Sequence, residues 1–190
     1  PSGGTGSSAT GLAAGTYTVT VSSPAGCTAT QTYTITAPPA LTSTGSQTNV
    51  LCNGGSTGSA SVSVSGGVGP YTYLWTPSGG TGATATGLTA TSYTVTFTDA
   101  NGCTGTRTFT ITQPPALSAT TSFTQATCNM SNGSASVSVS GGVGPYTYLW
   151  APSGGTAATA TGLAANTYTM TYTDANGCTG TATVTVPNAA

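Results

Sequence analysis

Gly58 to Trp75 reads GSASVSVSGGVGPYTYLW, and the same eighteen residues return without a change at Gly133 to Trp150. Ser59 to Ser65 alternates strictly, with Ala60, Val62 and Val64 on one face and serines on the other. Period-two alternation of this kind marks a half-buried strand. Gly66-Gly67-Val68-Gly69-Pro70 punctuates it as a turn, and Tyr71 to Trp75 resumes an alternating run with Tyr71, Tyr73 and Trp75 on one side. A second block, TDANGCTGT, fills Thr98 to Thr106 and returns at Thr173 to Thr181.

Aligning the two blocks gives the organisation of the chain. Trp75 and Trp150, Tyr93 and Tyr168, and Cys103 and Cys178 are 75 residues apart, whereas Cys52 and Cys128, and Cys27 and Cys103, are 76 apart. Self-similarity at a fixed period is the signature of a tandem array. Residues 40–115 and 116–190 are read as complete units, and residues 1–39 as the C-terminal half of another. Pro1 to Leu12 matches Pro77 to Leu88, so the chain is expected to be a window from a longer repetitive polypeptide. Ala37-Pro38-Pro39-Ala40-Leu41 and Gln113-Pro114-Pro115-Ala116-Leu117 join the units. Two prolines fix the backbone near polyproline II and end strand pairing, which predicts a semi-rigid spacer.

The remaining runs are strands too. Thr16 to Val21, Thr32 to Thr36, Ser92 to Thr98 and Arg107 to Thr112 alternate threonine with Tyr, Val, Phe or Ile. Ala40 to Thr48 is a weaker strand and Ala85 to Leu88 a short one. Asp99-Ala100-Asn101-Gly102 closes a hairpin, since Asn-Gly accepts positive φ at both residues. No helical period persists, so the fold class is all-β. Roughly seven short strands per unit with a central Trp predict tandem small immunoglobulin-like β-sandwiches.

Composition narrows the function. Arg107, Asp99 and Asp174 are the only charged residues, and the net charge is −1. No basic patch exists to hold phosphates, so nucleic acid is not an expected partner. No apolar run approaches a membrane span. With no His, Lys or Glu, general acid–base catalysis has no obvious agent, and an enzyme is not expected. No cofactor is implied.

The five cysteines follow the repeat. Each full unit has an early one (Cys52, Cys128) and a late one (Cys103, Cys178), and Cys27 is a late one whose partner is missing. The simple pairing is Cys52–Cys103 and Cys128–Cys178, one disulfide per unit; the alternative is buried free thiols. Disulfides imply an oxidising, extracytoplasmic setting. Each such bridge would close a loop of about 50 residues, for up to ~4 kcal/mol in the chain-entropy model.

Three further groups have two readings each. Asp99 and Asp174, with Asn101 or Asn176, could offer oxygens to Ca²⁺, but that ion takes six to eight oxygens, and an Asx-type turn is the simpler role. Tyr71, Tyr73, Trp75 and Tyr93, with Tyr146, Tyr148, Trp150 and Tyr168, are expected in the core, although an exposed ladder could stack on sugar rings. Asn129 and Asn132 lie in N-x-S sequons, which matter only in a glycosylating source.

The succession GGxGPYxYxW (Gly66 to Trp75), GLxAxxYTVTxTDANGC (Gly87 to Cys103) and TxTITQPxAL (Thr108 to Leu117) resembles the SprB-type repeat of giant surface adhesins in gliding Bacteroidota. The resemblance covers the two full units and the half unit. It implies a cell-surface filament exported by the type IX system and moved by the gliding machinery. Its partners would be neighbouring repeats and other copies in a filament.

The reading reached from the sequence is a non-enzymatic, extracellular stalk of disulfide-pinned sandwiches. The alternative is a weak glycan-binding module made effective by multivalency. Burial of Trp75 would favour the stalk, and a solvent-facing aromatic ladder would favour binding.

Overall fold

The computed structural model describes residues 5–128 and 130–189. All regular elements among them are strands. The half unit forms a hairpin, β1 (Gly15–Ser22) with β2 (Thr28–Ile35). The first full unit contains β3 (Thr42–Thr48), β4 (Gly58–Ser65), β5 (Thr72–Thr76), β6 (Thr84–Leu88), β7 (Ser92–Thr98) and β8 (Thr104–Thr110). They make two antiparallel three-stranded sheets, ordered β3-β4-β6 and β5-β7-β8.

The second unit repeats this with β9 (Ser118–Thr124), β11 (Gly133–Ser140), β12 (Thr147–Ala151), β13 (Thr159–Leu163), β14 (Asn166–Thr173) and β15 (Thr179–Val186). Its sheets run β13-β11-β9 and β12-β14-β15. A two-residue parallel pairing adds β10 (Ala126–Thr127) to β16 (Asn188–Ala189). Each unit is therefore a small immunoglobulin-like sandwich with six main strands, rather than the roughly seven expected.

Alternation explains the layering. Along β7, Tyr93, Val95 and Phe97 are buried while the intervening threonines are not. These side chains meet Ala60 and Val62 of β4, Trp75 of β5 and Phe109 of β8, so both sheets contribute to one core. The second unit has a separate core built from the equivalent residues. Trp75 stands opposite Val95 in the sheet register, and its ring centroid is 5.6 Å from that of Phe109.

The outward hydroxyls do not simply face water. Thr48 pairs with Ser59 at 2.7 Å, Ser46 with Ser61 at 3.0 Å and Thr94 with Thr108 at 3.0 Å across neighbouring strands. The second unit has the same ladders, for example Ser118 with Ser140 at 2.8 Å. Cross-strand hydroxyl pairs of this type each contribute a fraction of a kcal/mol and help hold a sheet that has almost no charge pairs.

The hairpin of the half unit is the exception in burial. Val19 is 43% exposed, although its repeat equivalent Val95 is 0% exposed. Tyr17 is half-buried and donates its hydroxyl to the Ala13 carbonyl, 3.0 Å away. The expected match of Pro1 to Leu12 with Pro77 to Leu88 lies partly outside the described residues.

The disulfide pairing differs from expectation. Cys52 is bonded to Cys178, while Cys27, Cys103 and Cys128 are free and exposed. The reason is strand geometry. Val50 N–H donates to the Thr112 carbonyl, which puts the Cys52 loop at the end of the sandwich where β8 finishes. Cys103 lies at the other end, where the β7–β8 turn closes just before Thr104. Seven residues of strand separate the two ends, about 20 Å at the usual rise, and cysteines more than about 7 Å apart between Cα atoms cannot be bridged. Cys52–Cys103 and Cys128–Cys178 are thus both excluded within a unit, and neither sandwich contains an internal bridge.

Candidate functional site at the junction between units

The cross-link makes the junction the most built feature of the molecule. Cys52 and Cys178 are 126 residues apart in sequence, with Cα atoms 5.6 Å apart. The bond joins the Leu51–Gly55 loop, at the trailing end of the first unit, to the Asp174–Cys178 turn at the leading end of the second. Asn176 Nδ2 donates to the Leu51 carbonyl at 2.9 Å. Cys178 Sγ lies 3.5 Å from that same oxygen, a contact only, because the sulfur carries no proton in the disulfide.

The connector is fastened on both sides of this bond. Asn53 Nδ2 donates to the Pro114 carbonyl at 2.9 Å, and Gly54 N–H donates to Gln113 Oε1 at 2.8 Å. On the far side, Gly142 N–H donates to the Pro115 carbonyl at 2.9 Å. Gly141 has φ 79°, and a Cβ there would lie 2.0 Å from the Ala116 carbonyl oxygen. Only glycine lets the connector pass so closely. Gly66 and Ala40 repeat this approach where the half unit leads into the first full unit. A cleft of about 430 Å³ remains at the junction, lined by Cys52, Asn53, Pro115, Leu117, Asp174 and Cys178 among others.

Asp174 shapes the turn that presents Cys178. Its Oδ1 accepts from the N–H groups of Asn176 and Cys178, each at 2.9 Å, and its Oδ2 from Val143 N–H at 2.9 Å. Asp99 does the same with Asn101, Cys103 and Val68. Both carboxylates are buried, and this is the Asx-type turn extended by a third donor. The Val68 N–H does most to hold Asp99 below the usual carboxylate pKa; burial opposes it, and Cys103 and Asn101 add to the lowering. For Asp174, burial is the largest influence and pushes upward, but the N–H groups of Val143, Cys178, Asn176 and Gly177 together leave the pKa lowered. Among the described residues no three His, Cys, Asp or Glu side chains gather as metal ligands.

The aromatic residues divide. Trp75 and Trp150 are 3% and 4% exposed, and their indole N–H groups donate to the carbonyls of Gly82 and Ala157. Tyr93 and Tyr168 are buried with them. Tyr73 and Tyr148 pack on the core edge and stay half-buried. Tyr71 and Tyr146 do not enter the core; each lies before its strand and donates its hydroxyl to the carbonyl of Gly66 or Gly141. The outward face of β5 carries Leu74, not an aromatic ladder. Of the sequon residues, Asn132 is exposed and bonds Thr127 through both ends of its amide, and Asn129 lies outside the described residues. No described helix is long and apolar enough to cross a membrane.

What sequence reasoning missed was the part that Leu51, Asn53, Gln113 and Asn176 play at the junction. None is a conspicuous residue type, and the available signal was that LCNGG and DANGC both flank a cysteine.

Comparison with known proteins gives one family. Residues 44–80 and 120–155 match the SprB repeat, which places each match on the front half of a sandwich. No curated protein matches the chain in sequence. Among solved structures, the N-terminal eight Ig domains of Down Syndrome Cell Adhesion Molecule isoform 1.30.30 share 14% identity at a TM-score of 0.46, over 92% of this chain and 28% of that one. A structure addressing Dscam isoform specificity shares 11% at 0.36, over 87% and 52%. Domains 1–6 of the surface layer protein SbsC share 12% at 0.35, over 93% and 35%. The chain thus spans from about a quarter to half the length of these structures. Two stretches of the chain, one on the front half of each sandwich, are thus similar to the SprB repeat.

Proposed function

We propose that this chain is a semi-rigid stalk segment of an extracellular, cell-surface repeat protein, in which units 40–115 and 116–190 act as spacers. The observation that carries this reading is the Cys52–Cys178 bond, which ties one unit to the next instead of stabilising either alone. A Pro-Pro connector held at Gln113, Pro114 and Pro115 leaves little freedom between units. The disulfide also favours an oxidising compartment, in keeping with a surface location. A role as an adhesin in a filament, export by the type IX system and transport by gliding machinery rest on the family likeness alone.

The glycan-binding alternative has no specific observation in its favour. Its aromatic platform would need Trp75 or Trp150 at the surface, and both are buried. Small-angle scattering on the whole chain tests the stalk. The oxidised protein should behave as an extended particle of fixed length, and reduction should broaden the distance distribution. A distribution equally broad before and after reduction would overturn the reading.

A further inference from the structure

The Cys52–Cys178 bond closes a covalent loop, and the strands left outside that loop decide how the chain carries a pull. The two cysteines are 126 residues apart, and the loop holds β4 to β8 of the first unit and β9 to β14 of the second. Of the main strands of the two sandwiches, only β3 and β15 stay outside it. β3 starts at the leading end of its unit, where Leu41 and Asp99 flank Gly67, and runs toward the trailing loop that carries Cys52. β15 starts just after Cys178 and finishes at the trailing end of the second unit, where the Pro187 carbonyl accepts from Ala126 N–H at 2.9 Å. β3, the disulfide and β15 therefore make one covalent line from the leading end of the first unit to the trailing end of the second.

The backbone offers a second route. It leaves the first unit through β8 and the Pro-Pro connector and enters the second through β9. β3 and β8 advance side by side in the same direction. Arg107 donates to the Ser43 carbonyl at 2.8 Å, Gln47 Nε2 to the Thr110 carbonyl at 2.6 Å, and Val50 N–H to the Thr112 carbonyl at 2.9 Å. A pull that enters at the start of β3 and leaves at the end of β8 shears one strand past the other, against these bonds. The second unit is built the same way, with β10 paired in parallel to β16 at the end of β15.

We infer that the Cys52–Cys178 bond is a tension bypass: a pull along the chain runs through β3, the disulfide and β15, and the strands that build both cores carry none of it. A strand rises about 3.3 Å per residue and a fully drawn chain reaches about 3.6 Å at most, so β3 and β15 have almost no length to give. The oxidised pair of units holds its length under load, and both sandwiches stay shut. Cutting the bond moves the load onto β8, the connector and β9. Each sandwich then becomes a store of chain that shear releases.

This inference rests on the stalk reading, and one experiment separates their failures. The full oxidised chain is held by its two ends at constant force, and dithiothreitol is added once the β1–β2 hairpin, which lies outside the loop, has been drawn out. Extension should then arrive as two separate steps, one per sandwich, each some time after the bond is cut. Together they should come to roughly 400 Å, the reach of the 126 residues that the bond had closed off. Q47A removes one of the bonds that resist shear, so the wait before one step should shorten several-fold, while the oxidised chain holds its length as before. An unaltered wait in Q47A, or a single jump of the full length at the moment of cutting, overturns the inference; the stalk reading survives either result if scattering shows a particle of fixed length. An oxidised chain that extends as far as the reduced one lacks the bond, and both readings fall.

Discussion

Cys178 bonds to Cys52 of the preceding unit, although Cys128 of its own unit is nearer in sequence. The consequence is a division of labour in which each core holds its own sandwich and the disulfide holds the pair. Peptide mapping of oxidised protein should therefore recover Cys52 joined to Cys178. In C52S, hydrogen exchange should rise at Leu51 to Gly55 and Ala175 to Cys178, while β7 and β14 keep their protection. Loss of protection throughout either sandwich would show that the bond stabilises the units themselves.

The two aspartates predict an acid-sensitive molecule with little other pH dependence. Each has a folded pKa below the ordinary value of 3.8. A depressed carboxylate contributes stability that is fully present above its unfolded pKa and is lost as pH falls through the folded one. The melting temperature should stay nearly flat between about pH 5 and 8 and drop only below the ordinary carboxylate range. D99N should melt lower at neutral pH and lose part of the acid dependence, because an amide NH₂ then faces the Val68 N–H. Chelation should change nothing. A melting temperature that fell on adding EDTA and recovered with Ca²⁺ would reinstate the aspartates as metal ligands.

The strands were legible because threonine and serine alternate with Tyr, Val and Phe, and the sandwich needs nothing more to sort inside from outside. The Asp99 turn was legible for a similar reason, since DANG constrains its own backbone. Tyr71 misled because alternation places it with Tyr73 and Trp75, whereas the strand starts only at Thr72 and the Tyr71 hydroxyl reaches Gly66. Cysteine pairing was not legible at all. In a repeat, pairing within a unit and pairing with the next unit use the same residue types. Only the length of β7 and β8, which sets Cys52 and Cys103 at opposite ends, decides between them.

One pair of positions differs between the units in a compensating way. Gly45 lies against Phe109, and a Cβ at Gly45 would stand 2.5 Å from the Phe109 ring and 2.5 Å from the Ser61 carbonyl oxygen on β4. The second unit has Thr121 and Val184 at the equivalent positions, trading ring volume for a side chain on the facing strand. Gly45→Thr alone should cost about 1–3 kcal/mol through overpacking. Adding Phe109→Val should recover the share due to the ring, with a coupling of about 0.5–1 kcal/mol in a double-mutant cycle, while the share due to the Ser61 carbonyl remains. Arg107, which donates to the Ser43 carbonyl at 2.8 Å beside the Phe109 ring, is kept unchanged in both variants. Additive losses in urea unfolding would mean that the two sites do not share their space.

Val19 and Val95 occupy the same place in equivalent hairpins, and only one of them is covered. Val95 faces the opposite sheet and the Trp75 strand, so Val95→Ala removes methyl groups from a closed core. Truncations of that size cost roughly 1–3 kcal/mol, part transfer and part cavity. Val19 pairs with Gln31 where Val95 pairs with Arg107, but it has no strand in the place of β5 and, among the described residues, no sheet lies across it, so water already reaches the side chain. Val19→Ala should leave stability within about 0.5 kcal/mol, as for ordinary surface substitutions. The two variants are made in the full chain and compared by urea unfolding monitored through Trp75 and Trp150 fluorescence. Equal losses would show that something covers the first hairpin in solution, with a second copy the first candidate. In that case Val19→Ala should also make the midpoint depend on protein concentration.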